Sequence, residues 1–299
     1  MTAAGGGTAV ETFEAERPRL IGLAYRMLGS VADAEDAVQD AWLRWDGLGD
    51  PGRGEIASPA AWLTTVTTRL ALDRLKSATR AREQYVGPWL PEPVLREPDP
   101  AESFELAESL TLGFLTVLER LGPVERAVFV LVDVFGEPYE RVAFAVGRSE
   151  VACRQIAHRA RTRLRAERRR FTDDPAHARE LVDAFLAAAL AGDVDQLRTV
   201  LSADVVLVSD GGRNAHAARR PVVGFHRVSR LVMNLARRVP AGAAVDLRVV
   251  NGDTGAVIWL GATPIVVLVF ETDATSVQSI RVMVNPDKLT RLTTPPPMH

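Results

Sequence analysis

Nine arginines stand between Arg148 and Arg170, against the two acids Glu150 and Glu167. Between Asp33 and Asp50 the signs reverse: Asp33, Glu35, Asp36, Asp40, Asp46 and Asp50 are opposed by Arg44 alone. Guanidinium groups at that density neutralise phosphates and read guanine edges, whereas a run of carboxylates is repelled by nucleic acid and suits water or a basic protein. A third group joins Trp62 and the threonines 64, 65, 67 and 68 to Arg69, Arg74, Lys76 and Arg80. A stacking aromatic beside a basic end suits partly single-stranded DNA. Asp204, Asp210, His216 and His226 are acid–base candidates by residue type only, because general acid–base work requires hydrogen-bond reach. The single cysteine, Cys153, excludes an internal disulfide framework and a Cys-rich zinc module and fits a reducing cytoplasm. No metal site and no cofactor is expected.

The 299 residues carry a net charge of −2, with 47% hydrophobic and 25% charged. That composition is ordinary for a folded chain long enough for more than one domain. Residues 171–299 contain 13 acidic and 13 basic side chains, so this part reads as neutral. In the remainder, near-neutrality is a cancellation of blocks. The start, Met1 to Val10, lacks the basic segment and apolar stretch of a signal peptide, and Ala256 to Phe270 is broken by Gly261 and Pro264 and too short to span a bilayer as a helix. A cytoplasmic protein with no membrane partner is expected.

These residues need elements to position them. Ser30 to Asp33 has capping-box spacing, followed by Ala34, Val38, Ala41, Trp42 and Trp45 on one helical face. Ser58-Pro59 opens the next helix, through Trp62, Leu63, Val66 and Leu70. Prolines 88, 91, 93, 98 and 100 mark residues 86–103 as an acidic linker. Helical periodicity resumes at about Phe104 with Leu106, Leu110, Phe114, Leu118 and Leu121, and Gly122-Pro123 ends one helix and starts another. From Pro138 the pattern is helix, turn, helix: Ser149 caps the second helix, Ala152, Ile156, Ala160 and Leu164 form its buried face, and Arg154, His158, Arg161 and Arg165 lie opposite. After Asp173-Asp174-Pro175, helices at 176–191, 194–201 and 227–238 accompany strands at 204–208, 245–250, 256–260, 265–271 and 277–284, an α+β domain with an antiparallel sheet.

Taken together, the segments resemble a bacterial sigma factor of the extracytoplasmic-function group. Ala34-Glu-Asp-Ala-Val-Gln-Asp-Ala-Trp-Leu-Arg-Trp45 is similar to the region-two segment that grips the clamp of core RNA polymerase. Trp62 to Leu75 resembles the segment that melts and reads the −10 element, and Leu121 to Leu164 resembles region four, which reads the −35 element. Many members read Arg-Asn where this chain has Thr68-Arg69, so the −10 base preference does not carry over. Trp89-Leu-Pro-Glu-Pro93 and Asn285-Pro-Asp-Lys-Leu289 match the motifs of sigma J-like members with a SnoaL-like C-terminal extension. A third motif, Asp-Gly-Gly-Gly-Lys, survives only as Asp210-Gly-Gly-Arg-Asn214. The resemblance implies that the extension acts in cis on sigma activity, in place of a separate membrane-bound anti-sigma protein.

The expected architecture is therefore multidomain: two all-α domains, region two at 12–85 and region four with its helix-turn-helix at 104–170, joined by the 86–103 linker and followed by a cone-shaped SnoaL-like α+β domain at 174–292. The expected partners are core RNA polymerase, promoter DNA and the chain's own C-terminal domain, whose pocket leaves room for a small-molecule ligand. Core binding falls to Asp33, Glu35, Asp36, Gln39 and Asp40, and −10 binding to Trp62, Thr65, Thr68, Arg69, Arg74, Lys76 and Arg80. Binding at −35 falls to Ser149, Glu150, Arg154, Gln155, His158, Arg159 and Arg161. Cis-regulatory contacts fall to Trp89, Leu90, Pro91, Asp210, Gly211, Gly212, Asn285, Pro286, Asp287, Lys288 and Leu289. No catalytic residue is assigned. A ligand-sensing helix-turn-helix repressor and a SnoaL-type isomerase or cyclase are the alternatives.

Overall fold

The computed structural model describes residues 8–82, 84–95, 111–165 and 175–292. The chain divides into two compact units, one of residues 1–83 with 117–167, the other of 84–116 with 168–299.

The first unit is helical. Helix α1 (Ala9–Leu28) opens on a reciprocal capping box between Thr8 and Glu11. Helix α2 (Val31–Asp46) is capped by Ser30, whose hydroxyl accepts the Asp33 N–H. A short turn of helix, α3 (Gly49–Gly54), leads to the long α4 (Pro59–Arg82). Leu20, Leu23, Met27 and Leu28 of α1, Ala34, Ala37, Val38 and Ala41 of α2, and Leu63, Ala71 and Leu75 of α4 are fully buried. Each large aliphatic side chain removed from water contributes about 1.5–3 kcal/mol, so the three helices form one body. Helix α5 (Leu112–Leu118), most of which belongs to the second unit, precedes α6 (Pro123–Phe129), which continues through a wider π-type turn at Val130–Val134. Helices α7 (Tyr139–Val146) and α8 (Glu150–Arg165) meet at a left-handed turn on Gly147. The buried face of α8 is Cys153, Ile156, Ala157, Ala160 and Leu164, one position away from the expected Ala152 at its start.

The two groups of helices pack together. Arg126, only 2% exposed, donates to Met27 O (2.8 Å) and pairs with Glu119 (2.6 Å), which also holds Arg82. Arg69 of α4 donates to the carbonyls of Phe144 (2.8 Å) and Ala145 (3.3 Å) on α7, with its guanidinium 4.8 Å from the Phe144 ring.

The second unit is α+β. Helices α9 (Pro175–Ala191), α10 (Val194–Val200) and α11 (Phe225–Ala236) accompany six strands: β1 (Leu201–Asp210), β2 (Val222–Val223), β3 (Ala243–Val250), β4 (Asp253–Leu260), β5 (Thr263–Thr272) and β6 (Val277–Met283). A last turn of helix, α12 (Pro286–Leu289), follows. The sheet order is β2-β1-β6-β5-β4-β3. Every pair is antiparallel except β1 with β6, a correction to the all-antiparallel expectation. It arises because β1 is separated in sequence from its partner by β2, α11 and the hairpin-connected strands β3 to β5, which return the chain to its side in the same direction.

Strand alternation divides the sheet. Phe185, Val228 and Val232 of the helices pack with Val205, Leu207, Phe270 and Ile280 on one face. The opposite face, with Val257, Trp259, Val267, Val269 and Met283, packs with Leu90, Leu112, Leu289 and Leu292. The linker is thus part of this unit's core. Residues 111–116 belong with the sheet, whereas the sequence places the start of region four at 104; Leu112 is 1% exposed in the sheet's apolar cluster. The expected helix start at Phe104, with Leu106 and Leu110, lies outside the described residues.

Arg126→Met removes one partner of a buried ion pair and leaves Glu119 and Met27 O underused. The expected loss is about 3 kcal/mol, read as a lowered midpoint in thermal unfolding of the full chain.

Candidate protein, DNA and linker contact sites

On α2, Asp36 and Gln39 are exposed while Asp33, Glu35 and Asp40 are half-buried. Ala34, Ala37, Val38, Ala41 and Trp45 turn inward, so the acidic residues share the outward side. Asp40 is already paired with Arg74 of α4 at 2.6 Å. One residue assigned to the polymerase and one assigned to DNA therefore neutralise each other.

On α4 the assigned residues separate. Trp62 is half-buried, its ring 5.5 Å from that of Trp45. Thr65 is half-buried and donates to Ala61 O (2.9 Å). Thr68 is fully buried and its hydroxyl has no partner. This corrects its assignment to DNA: α4 is packed on several sides, so its threonine run cannot all face outward. Burying that lone hydroxyl costs about 1–3 kcal/mol. Arg69 and Lys76 are exposed, but Arg69 is tied to α7 and Lys76 pairs with Asp73 at 3.0 Å. Arg80 lies within α4, and its side chain is outside the described residues.

The helix-turn-helix presents a coherent surface. Ser149 Oγ accepts from Ala152 N–H (3.2 Å) and Glu150 pairs with Arg154 (2.7 Å) in the first turn of α8. Arg154, Gln155, His158 and Arg159 are all exposed along the outward side of the helix. Arg161 departs from that surface. It pairs with Asp133 at 2.6 Å and donates to Tyr139 Oη at 3.4 Å, and the Asp133 hydrogen bond holds its pKa up. Its role here is to fasten α8 to the preceding helices.

The third group converges. Asp210, fully buried, accepts from Tyr85 Oη (2.5 Å) and Gly212 N–H (3.1 Å) on one carboxylate oxygen, and from Leu90 N–H (2.8 Å) and Lys288 Nζ (2.7 Å) on the other. Lys288 also donates to Leu90 O and lies 4.0 Å from the Trp89 ring. Burial and the Asp210 carboxylate raise the Tyr85 phenol above its ordinary range. Asn285 Nδ2 donates to Tyr85 Oη (2.8 Å), and its side-chain oxygen accepts from Asp287 N–H (3.2 Å), capping α12. Gly212 has φ +58, and a Cβ there would lie 2.7 Å from Asn285 Nδ2; one on Gly211 would lie 2.6 Å from Ala215 O. The two glycines let the turn close against the tail. Pro91 and Leu289 are buried, Pro286 is the first residue of α12, and Asp287 accepts from Asn214 at 3.3 Å.

Several partners carry little sequence signal. Val94 and Asn251 exchange hydrogen bonds at 2.9 and 2.8 Å, extending the linker contact to β3. Further along, Leu112 N–H donates to Asp253, and Gly113 sits so close to Glu271 that a Cβ would collide with its carboxylate. Glu271 pairs with Arg281 at 2.5 Å. Burial, with the Glu271 charge adding to it, pushes the Asp253 carboxyl up to about 8. The one available signal was Gly113 inside an apolar helical pattern, a residue that marks close approach.

The acid–base candidates do not assemble. Asp210 is committed to the linker, Asp204, His216 and His226 are exposed, and neither histidine side chain hydrogen-bonds to either aspartate. Among the described residues no cluster suited to a metal ion occurs, and no helix is long and apolar enough to cross a membrane.

Residues 12–81 match the family model for sigma-70 region 2, and residues 112–164 that for sigma-70 region 4. The ECF RNA polymerase sigma factor SigJ of Mycobacterium tuberculosis is 45% identical over 253 residues, covering 83% of this chain and 80% of that protein. The probable ECF RNA polymerase sigma factor SigI of the same species is 35% identical over 280 residues, 93% of each. The crystal structure of M. tuberculosis SigJ superposes with a TM-score of 0.75 at 39% identity, covering 94% of this chain and 98% of that one.

Two outcomes are expected from these contacts. Lys288→Met strands a buried carboxylate, so chymotryptic cleavage at Tyr85 and Trp89 should accelerate at least tenfold, while Asp210→Asn/Lys288→Met should be less affected than the single change; equal cleavage in all three proteins counts against the ion pair as the fastener. For Asp253 the folded pKa lies above the unfolded one. Its contribution is therefore full below about pH 4 and is lost as pH rises towards about 8. Thermal midpoints should fall across that window, and Asp253→Asn should flatten the fall.

Proposed function

The chain belongs to the extracytoplasmic-function RNA polymerase sigma factors, and from that premise we propose how its parts divide the work of promoter-specific initiation. The outward acidic side of α2, centred on Asp36 and Gln39, takes the polymerase. Arg154, Gln155, His158 and Arg159 of α8 enter the major groove of the −35 element, and the basic part of α4 addresses the −10 element. The observation that carries this division is the segregation of sign: carboxylates outward on α2, guanidinium and imidazole groups outward on α8.

The tie from Arg69 to Phe144 and Ala145 belongs to a closed state. Elements at −10 and −35 lie 25 base pairs apart by definition, about 85 Å at roughly 3.4 Å per base pair. An α4 held at hydrogen-bond distance from α7 cannot serve both, so promoter binding requires this contact to break and frees Arg69 for DNA. The linker fastened by Asp210 and Lys288 is the part through which the C-terminal domain tunes this opening in cis. A small molecule reaching the same sheet face would have to displace Leu90 or Leu112, and would act through the linker.

Reconstituted transcription with core RNA polymerase tests the assignment. The full chain should direct initiation at defined promoters, and Asp36→Arg should weaken core binding at least tenfold. Removing residues 171–299 should change promoter activity and leave core binding intact. Unchanged transcription by the truncated protein would defeat the regulatory part; absence of any promoter-directed initiation would leave only a DNA-binding protein.

A further inference from the structure

The C-terminal domain, neutral as a whole, is not neutral locally. From Gly211 to Val245 there are seven arginines and two histidines and no aspartate or glutamate. Six of these arginines frame α11: Arg219 and Arg220 precede it, Arg227 and Arg230 lie within it, and Arg237 and Arg238 follow it. All six are exposed, and none forms an ion pair among the described residues. At 100° per residue, Arg227, Arg230, Arg237 and Arg238 share one stripe. The opposite side of the helix, Phe225, Val228 and Val232, is buried against the sheet.

We propose that this stripe is a further DNA-binding surface, which holds the phosphate backbone of duplex promoter DNA outside the two recognition elements. The inference rests on the promoter-binding reading above and extends it to the C-terminal domain. A row of unpaired guanidinium groups at one edge of a folded domain matches a regular row of phosphates. The helix is about 18 Å long at about 1.5 Å per residue, the length of about five base pairs. Its apolar side is committed to the domain core except for Leu235, and one exposed leucine is too little to seat the helix in a lipid interface. Phe225 is buried, and α11 exposes no Phe, Tyr or Trp to stack on unpaired bases. Glu180 and Asp183 of α9, Asp195 of α10 and Asp204 of β1 are exposed acids on elements in contact with α11; none of them lies on α11 itself, so the stripe is not interrupted. Covalent attachment to a DNA-bound region four raises the local DNA concentration enough for weak phosphate contacts to count.

The test uses the full chain in complex with core RNA polymerase on a duplex promoter fragment, with affinity measured across a potassium chloride series. Arg227→Ala/Arg230→Ala/Arg237→Ala/Arg238→Ala should lower affinity at least tenfold. It should also make the slope of log affinity against log salt shallower by about two to four, because each lost phosphate contact removes about 0.9. The loss should be the same when sequence outside the two elements is scrambled, and the matching four lysine substitutions should restore most of it. Should the fourfold variant unfold, Arg227→Ala/Arg230→Ala should still reduce the slope by about one to two. Unchanged slope and affinity would overturn the proposal. So would a defect that lysine does not repair, or lost binding to phosphatidylserine vesicles with an unchanged DNA slope. A wild-type complex that fails to bind the promoter would instead overturn the promoter reading, and this surface with it.

Discussion

The second unit depends on one buried carboxylate. An ionised aspartate offers about four acceptor positions, and Asp210 has all four filled: a phenol, two backbone N–H groups and an ammonium. Left unfilled, such a group would be expelled or neutralised, because burial of an isolated charge costs far more than a domain's net stability. The four donors come from Tyr85 and the linker that follows it, the turn after β1 and the tail at α12. Satisfying one residue therefore fixes three chain segments that are far apart in sequence. Its own backbone carbonyl extends the tie by accepting from Val284 and Asn285 N–H. The linker is held by the polar requirement of Asp210 as much as by the burial of Leu90.

That logic also explains a residue choice. Of 36 basic residues only Lys76 and Lys288 are lysines. At 288 the cation must fit between a carboxylate, a backbone carbonyl and the face of Trp89. A compact ammonium with three rotatable donors meets that geometry, whereas a planar guanidinium needs a wider, flatter recess. Arginine in this chain says little about any one site; the exception to arginine says more.

The periodic features were the legible ones. Helices α2, α4, α7 and α8 follow from apolar spacing with Ser30, Ser58-Pro59 and Ser149 as starts, and the strand runs from β3 to β6 follow from alternation between turn residues. Two of the three helices in the first unit's core were marked in this way, whereas α1 (Ala9–Leu28) was not. Pairing that depends on direction was not visible, so the parallel β1–β6 contact was missed. Which side of an amphipathic helix meets a neighbour was legible only when one side was charged. On α4, polar threonine and arginine occur on several sides, and Thr68 and Arg69 went to protein contacts. Exposure on α8 could be read because arginine and alanine separate cleanly, yet Arg161 was claimed by Asp133, 28 residues earlier. The Trp89, Asp210 and Asn285 motifs were recognised as a set through resemblance, since no spacing argument brings together residues that lie so far apart in sequence.

The linker is fastened twice, and the two fastenings differ in kind. Around Asp210 the polar groups are satisfied and rigid. Around Leu112 they are not: Asp253 Oδ2, Trp259 Nε1 and Arg281 Nε are buried without partners, and Glu271 tolerates only a glycine at 113. Each orphaned group costs about 1–3 kcal/mol, so the second fastening is the weaker. Both apolar anchors, Leu90 and Leu112, sink into the same cluster on the same sheet face. Because they lie on one chain, holding the first keeps the second at high effective concentration, and a modest intrinsic affinity at Leu112 then suffices. Release should therefore begin at Leu112, whose fastening is least satisfied and sits over a carboxyl that resists ionisation. Complete release additionally requires the Asp210 cluster to exchange four protein hydrogen bonds for water.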